Sequence, residues 1–275
     1  MKLAPIYFPL ALDLDQPDRF SPVNAYASAV ASQLAYDEAN PQIVGLKTDT
    51  QAVLLDAGAA YVLAFRGTKP NAFVHRNSGV HGWLHVLWIK LRDFATDIDA
   101  RRVTVSPGAK VHRGFYEALS EVWLQVVAAT ADLDKPLIIT GHSLGAALAH
   151  LCAFRLAERG VAVHSVYAVA CPNSCNTRQR GNYDRASAAD GARLGEVTWN
   201  LWNEEDVVCR LPMLLTKGGQ HAMFSSDGNL LFNPSLLLRL ASDVQGLWEA
   251  WRRGDEDLVA DHALERYIEK IKGKL

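Results

Sequence analysis

The sequence predicts an α/β protein with a mostly parallel central sheet and helices on both of its faces. The stretch 138–149 (IITGHSLGAALA) begins as an apolar, β-branched run typical of a buried strand, and it continues into Ala/Leu-rich sequence with helical spacing. Other short strand-like runs alternate with amphipathic helical runs, which is typical of strands joined by crossover helices. A chain of 275 residues can bury one large core, so we expect a single domain over 1–275.

Composition and charge restrict the classes of partner. A net charge of −2 favours neither nucleic acid nor an anionic membrane, and no apolar run is long enough to span a bilayer. The first twelve residues faintly resemble a signal peptide, but two prolines, the acidic Asp13 and Asp15, and the lack of a small-residue cleavage site argue against one. The sequence therefore favours a cytoplasmic location and leaves export by another route open.

The four cysteines are typical of reduced thiols. Cys152 falls on a predicted helix, where a small buried thiol is expected. Cys171 and Cys175 are close enough to pair, but their spacing fits no standard zinc pattern. We expect free thiols, with a Cys171–Cys175 disulfide as the alternative.

The chain begins with a proline-rich stretch over 1–22, which predicts a loosely packed arm. Helical spacing of apolar residues predicts a helix over 24–39. Two strand-like runs around an Ala-Gly turn then predict a hairpin over 51–65. Thr68 follows the second strand, where its backbone amide is a candidate for one donor of an oxyanion hole; a plain polar loop residue is the alternative.

Residues 82–92 form an amphipathic stretch that carries Trp83 and Trp88 on one helical face. One interpretation is that this stretch, with its two tryptophans and its flanking polar loops, is a lid that covers an apolar site. The alternative is an ordinary helix packed on the core, and the residues alone leave both open. A strand over 103–105 and a helix over 115–130 follow.

The central strand and helix are joined by Gly-x-Ser-x-Gly, and strand, turn and helix together are the setting of a nucleophile elbow. Ser143 would lie at the tip in a strained backbone, while Gly141 and Gly145 let the strand and helix approach closely. The amide of Leu144 at the helix start would help to bind an oxyanion. The alternative is a tight turn in which the serine only caps the helix.

The next strand is expected over 161–170, and the polar residues 173–193 are expected to form a surface loop. A further strand over 196–202 ends before three acidic residues, Glu204, Glu205 and Asp206. A carboxylate just beyond a strand, after the nucleophile in the chain, is where a triad acid belongs. Asp206 is favoured only because it leads into an apolar stretch.

Two histidines follow Asp206 in the chain and so fit the order serine, acid, histidine. His221 begins a hairpin predicted around an Asp-Gly turn, and His262 follows a helix predicted over 234–251. Position leaves the choice between these two histidines open.

Taken together, these segments resemble the class 3 lipase family, the fungal-type triacylglycerol lipases of the α/β-hydrolase fold. The resemblance runs from Ala64 to Tyr267. The segments similar to the family's motifs are 65–68 (FRGT), 94–98 (FATDI), 111–115 (VHRGF), 141–147 (GHSLGAA), 206–212 (DVVCRLP) and 261–267 (DHALERY).

The resemblance implies a role for each candidate. It makes Asp206 the acid and His262 the base for Ser143, adds Thr68 to Leu144 in the oxyanion hole, and leaves His221 as a structural histidine. It also places a lid over 69–93 and implies transient contact of that lid with a lipid interface. The implied activity is hydrolysis of lipid esters through a Ser-His-Asp triad, with no metal or cofactor.

Two segments depart from the family's pattern. Residues 170–176 (ACPNSCN) replace the family's Gly-x-Pro-Arg-Val-Gly-Asn, and Cys209 stands where the family commonly has proline. These departures affect loop shape and substrate preference rather than the triad. Two alternatives remain: an esterase for a non-lipid ester, such as a feruloyl or short-chain ester, and a catalytically silent interaction module on the same fold. The intact triad argues against the silent module.

Overall fold

The computed structural model describes residues 11–37, 43–45, 50–67, 102–235 and 262–275. The strands are β1 (Ile43–Val44), β2 (Ala52–Asp56), β3 (Tyr61–Phe65), β4 (Arg102–Ser106), β5 (Ala109–His112), β6 (Leu137–His142), β7 (Val163–Val169), β8 (Thr198–Asn203), β9 (Gln220–Phe224) and β10 (Leu230–Phe232). The helices are α1 (Pro22–Leu34), α2 (Arg113–Ala129), α3 (Leu144–Ala157), α4 (Thr177–Arg185), α5 (Leu194–Val197) and α6 (Leu264–Lys272), with 3-10 turns at Ala189–Gly191 and Val207–Arg210.

The strands of the described ranges form a central sheet in the order β1-β2-β3-β6-β7-β8-β9-β10. Strands β3, β6, β7, β8 and β9 run parallel to one another, whereas β1 and β2 on one side and β10 on the other add antiparallel pairs. This arrangement confirms the mostly parallel sheet. The carboxyl ends of β6 and β8 lie at the same edge, and the elbow serine and the candidate acid follow these two strands.

Helices cover both faces of the sheet, and each face has its own hydrophobic core. Helices α2 and α3 pack on one face, and α1 and α6 pack on the other. Because successive residues of a strand point to opposite faces, Ile138 belongs to one core and Ile139 to the other. Every residue of β6 and β7 is buried, as expected for parallel strands covered on both sides.

Most predicted elements within the described ranges are confirmed. The hairpin over 51–65, the strand near 103–105, the helix over 115–130 and the strand over 161–170 are present as β2–β3, β4, α2 and β7. The hairpin around the Asp-Gly turn is present as β9 and β10. Helix α1 is shorter than predicted, and β4 pairs with β5 in a small second sheet, where the sequence predicted no partner strand.

The surface loop predicted over 173–193 is wrong, because it contains helix α4. Asn176 caps this helix by accepting a hydrogen bond from the Gln179 amide. Tyr183 is buried, and its hydroxyl lies 2.7 Å from Thr198 Oγ1. One aromatic anchor and a side-chain cap thus hold a helix that has too few apolar residues for helical periodicity to show.

The region 194–203 also differs from the prediction. Residues 194–197 form the short helix α5, so the strand predicted from 196 begins at Thr198 instead. In the described part of the N-terminal arm most residues of 11–19 are exposed, and Phe20 anchors its end by lying edge-on to Trp199 with ring centroids 5.4 Å apart.

Several predictions fall outside the described residues. They are Thr68, the amphipathic stretch 82–92, the lid over 69–93 and all but the start of the helix over 234–251. Within the described ranges, no helix combines the length and apolar character needed to cross a bilayer.

Candidate active site

Ser143 occupies a sharp turn between β6 and α3. Its backbone has φ 59° and ψ −127°, a region that residues other than glycine rarely adopt. A Cβ atom on Gly141 would overlap the backbone of Gly145, and one on Gly145 would overlap the backbone of Phe65. The turn therefore requires glycine at both positions, as the predicted elbow does. The Ser143 amide donates to the Val169 carbonyl at 3.0 Å, which ties the turn to β7.

The Ser143 hydroxyl does not cap the helix. Ser143 stands at the N-cap position of α3, but its side chain makes no capping hydrogen bond. The Oγ atom is buried and has no hydrogen-bond partner among the described residues. A buried hydroxyl without a hydrogen-bond partner lowers the free energy of unfolding by about 1–3 kcal/mol, so the rest of the fold must offset this cost. The capping alternative therefore does not describe this turn.

One of the two candidate oxyanion donors, Leu144, directly follows this serine in the chain. Leu144 begins α3, so its amide belongs to the first turn, where N–H groups have no acceptor within the helix and carry partial positive charge. Thr68 lies outside the described residues. The preceding Gly67 packs against the Tyr36 hydroxyl and the carbonyl of His142, the residue before the serine. The strand that leads to Thr68 therefore ends next to the elbow.

Asp206 follows β8 and is completely buried. Its Oδ1 accepts the Val208 amide at 3.0 Å, so the carboxylate caps the short 3-10 turn that follows it. Its Oδ2 accepts from His262 Nδ1 at 2.9 Å and from the Tyr267 hydroxyl at 2.6 Å. The structure thus brings together the acid and the base that the family resemblance implies.

The surroundings keep the Asp206 carboxyl ionised. Burial by itself would raise its pKa, but the charge of His262 and the hydrogen bonds from His262, Tyr267 and Cys209 outweigh burial. The pKa of Asp206 is therefore held below its ordinary value of 3.8. An anionic carboxylate is the partner that orients an imidazole and stabilises the imidazolium.

His262 lies just before α6 and is completely buried. Because an ionised carboxylate can only accept, His262 Nδ1 donates to Asp206. In the neutral ring, Nε2 then carries a lone pair, and it has no hydrogen-bond partner among the described residues. The site thus holds an unpartnered basic nitrogen and an unpartnered serine hydroxyl, both buried.

His142 connects the elbow to the base. Its Nε2 lies 2.8 Å from the His262 carbonyl oxygen, its ring lies 4.9 Å from the His262 ring, and its Nδ1 lies 3.3 Å from the Tyr36 hydroxyl. A carbonyl can only accept, so Nε2 carries the proton and Nδ1 accepts from Tyr36. Burial, followed by the charge of His262, lowers the pKa of His142 to about 3, so this ring holds the backbone of His262 without adding charge.

The remaining candidates lie on the neighbouring hairpin or are bonded to it. His221 lies on β9 with its ring edge-on to Trp202, 6.2 Å away, and its amide donates to Asn233 Oδ1. Glu204 Oε2 accepts the Ser226 amide at 2.9 Å, so this carboxylate is bonded to the hairpin turn. Sequence reasoning assigned no role to Tyr267, Tyr36 or His142; Tyr36 carried no signal, whereas the other two lie inside quoted motifs.

The structure also describes the four cysteines and the metal-binding potential of the site. All four thiols are free and buried, as the expectation of reduced cysteines required. Over the described ranges, no group of three or more His, Cys, Asp or Glu side chains is arranged to hold a metal ion.

Comparisons with known proteins agree on one family. The family model described as lipase (class 3) matches residues 62–216. A curated lipase of Rhizomucor miehei is 38% identical over 76 residues, which cover 25% of this chain and 21% of that protein. The matched segment thus spans about a fifth of the length of that curated relative.

Solved structures show the fold. The triacylglyceride lipase of Rhizomucor miehei shares 21% identity with a TM-score of 0.51, covering 76% of this chain and 78% of that chain. The lipase of Rhizopus microsporus var. chinensis shares 26% identity with a TM-score of 0.51, covering 73% and 72% of the two chains. The fold is therefore the α/β-hydrolase fold.

Proposed function

Because the chain belongs to the class 3 lipase family, we propose that it hydrolyses carboxylic esters of lipids through Ser143, His262 and Asp206. The observation that carries the proposal is the buried pair of Asp206 and His262, joined at 2.9 Å, whose Nε2 has no hydrogen-bond partner among the described residues and whose ring lies 4.9 Å from that of His142. The contact of His142 with the His262 carbonyl supports this placement, since His142 directly precedes the serine.

The proposed reaction follows from these groups. The Ser143 hydroxyl attacks the ester carbonyl while His262 Nε2 takes its proton, and the imidazolium then gives that proton to the departing alkoxide. A water that loses its proton to His262 next attacks the acyl-enzyme, and the serine regains its proton as the fatty acid leaves. Asp206 fixes the imidazole tautomer and stabilises the imidazolium in both halves.

We also propose which groups bind the negative oxygen of the tetrahedral intermediate. The amide of Leu144, at the first turn of α3, supplies one donor, and the amide of Thr68 supplies the second. Each donor of this kind contributes roughly 3 kcal/mol to lowering the barrier.

An exposed apolar turn that follows Asp206 in the chain favours a lipid ester over a soluble one. Met213 and Leu214 are 71% and 72% exposed, respectively. They follow by a few residues the acid loop, which consists of Asp206 and the 3-10 turn Val207–Arg210. Asn173 holds the backbone of this turn by donating to the carbonyls of Arg210 and Pro212. Two apolar side chains kept in solvent on a fixed backbone suit contact with a lipid surface. The lid over 69–93 remains a proposed insertion that would add to this contact.

The test compares substrates that differ in chain length and physical state. We expect wild-type protein to hydrolyse p-nitrophenyl esters and to prefer long-chain esters in emulsion, and Ser143→Ala to hydrolyse neither. Activity confined to short soluble or feruloyl esters would indicate the non-lipid esterase instead. A folded wild-type protein that cleaves no ester would indicate the silent module.

A further inference from the structure

The side chain of Cys209 reaches the same carboxylate oxygen that holds His262. Cys209 lies in the 3-10 turn directly after Asp206, and it is only 4% exposed. Its Sγ lies 3.3 Å from Asp206 Oδ2 and 3.7 Å from the Tyr267 hydroxyl oxygen. Oδ2 therefore accepts from three side chains, those of His262, Tyr267 and Cys209.

The thiol is the donor in this contact. Burial and the negative charge of Asp206 raise the pKa of Cys209 well above its usual range, so the sulfur keeps its proton. An ionised carboxylate can only accept, which leaves the S–H group as the single proton source between the two atoms.

We propose that Cys209 is a positioning residue for the ester hydrolysis, because its thiol holds Asp206 Oδ2 in place against His262 Nδ1. This inference rests on the proposed function. Cys209 stands where the resembling family commonly has proline, which has no side-chain donor. The chain would therefore orient its acid with a hydrogen bond that relatives with that proline lack.

The backbone of Cys209 is held as firmly as its side chain. Lys217 is buried, and its ammonium group donates to the carbonyl oxygens of Cys209 and Cys171. The second carbonyl follows β7, so Lys217 ties the acid loop to the strand beside the elbow strand. Because hydrogen bonds hold both its backbone carbonyl and its thiol, Cys209 has little freedom to move its sulfur away from Asp206.

The competing interpretation makes Cys209 a small apolar residue that merely fills space. Alanine and serine separate the two interpretations, since alanine removes the donor and serine keeps one of similar size. Cys175 provides a matched control. It is also 4% exposed, and its thiol also donates to an oxygen, the Thr216 carbonyl, at 3.4 Å.

The experiment measures kcat and KM for a soluble p-nitrophenyl ester, with thermal melting, in Cys209→Ala, Cys209→Ser and Cys175→Ala. We expect Cys209→Ala to lower kcat about tenfold, since a hydrogen bond to a charged group is worth about one factor of ten. KM should stay unchanged, Cys209→Ser should restore most of kcat, and Cys175→Ala should change only the melting temperature. Wild-type kcat in Cys209→Ala, or no rescue by serine, would overturn the proposal.

A second measurement does not depend on activity. The proton between His262 Nδ1 and Asp206 Oδ2 gives a low-field NMR signal that reports the strength of their hydrogen bond. This signal should move in Cys209→Ala and stay near its wild-type position in Cys209→Ser and Cys175→Ala. If wild-type protein hydrolyses no ester, the proposed function fails while the NMR shift still decides the role of Cys209. An unmoved signal in Cys209→Ala would count against that role.

Discussion

At Ser143 the backbone is strained and the side-chain hydroxyl has no hydrogen-bond partner among the described residues. At Asp206, by contrast, the backbone is extended, with φ −79° and ψ 100°, and both carboxylate oxygens accept hydrogen bonds. The turn at Ser143 forms because Gly141 and Gly145 have no side chains, and the serine hydroxyl there has no hydrogen-bond partner. The acid loop is instead held by hydrogen bonds that other groups donate to both oxygens of the Asp206 carboxylate. One site thus contains a strained group and a fully bonded group.

The difference follows from the proposed chemistry. A nucleophile must be free to give its proton to the base and to attack, so a strong partner other than that base would have to be removed before reaction, whereas an acid that only orients and stabilises can be bonded permanently. Substitutions of the Ser143 side chain should therefore remove activity without loss of stability, and substitutions of Asp206 and its donors should lower both. The predictions below test this contrast in order of expected effect.

Ser143→Ala should lower kcat by about 10⁶-fold, because the attacking oxygen is gone. Its melting temperature should be at or above the wild-type value, since the buried hydroxyl makes no hydrogen bond in the described structure and its removal relieves the cost of burying it. Ser143→Gly should be as inactive but more stable than Ser143→Ala by about 1 kcal/mol, because glycine tolerates positive φ. Ester hydrolysis and calorimetry check both values. A serine-free elbow with activity within tenfold of wild type would refute the assignment.

His262→Ala should be nearly as damaging as loss of the serine, about 10⁵-fold or more in kcat, because the base and its link to Asp206 are both removed. His221→Ala is the control, since that ring packs against Trp202 and is expected to contribute stability only. The same ester assay with both variants decides the matter. A folded but inactive His221→Ala beside an active His262→Ala would reverse the two roles.

Asp206→Asn should lower kcat by about 10⁴-fold, because the imidazole is no longer held in the productive tautomer. Glu204→Gln should stay near wild type, since Glu204 is bonded to the hairpin turn.

Stability should also distinguish Asp206→Asn from wild type, and the difference should depend on pH. The folded-state pKa of Asp206 lies below its ordinary value of 3.8, so ionisation stabilises the fold. The advantage of wild type should be full above about pH 5 and should shrink as the pH falls through the lowered pKa. Urea unfolding of both proteins across that range measures it. A constant difference down to low pH would contradict the buried ionised carboxylate.

Tyr267→Phe should lower kcat about tenfold and reduce the melting temperature by several degrees, since one hydroxyl serves two buried groups. It donates to Asp206 and accepts the Asn203 amide at 2.9 Å. The matched control is Tyr183→Phe, which removes a buried hydroxyl bonded to Thr198 outside the site. The control should lose stability and keep kcat. Equal losses of kcat in both variants would show that Tyr267 acts only through the fold.

Sequence predicts the elbow well because strand, turn and helix are contiguous in the chain. The choice between His221 and His262 needs more, since only the fold, or resemblance to a family, brings one of them to Asp206. The link from Tyr36 to His142 joins residues 106 positions apart and has no local pattern. Helix α4 escaped prediction for a related reason, because its cap and its buried Tyr183 produce no hydrophobic period. The roles of Thr68 and of the lid stay predictions.

Helix α6 packs against α1, the first helix of the described ranges, and the proposed base His262 lies just before α6. Residues Leu264, Tyr267 and Ile271 share a core with α1, so His262 reaches its position only when these two helices dock. A ribosome delivers α1, the elbow and the acid loop well before α6, and a domain generally folds as a unit. The growing polypeptide would therefore carry the proposed nucleophile without its proposed base, and Asp206 without its imidazole partner. The proposed hydrolytic capacity would arrive in a single late step of biosynthesis, once α6 has emerged.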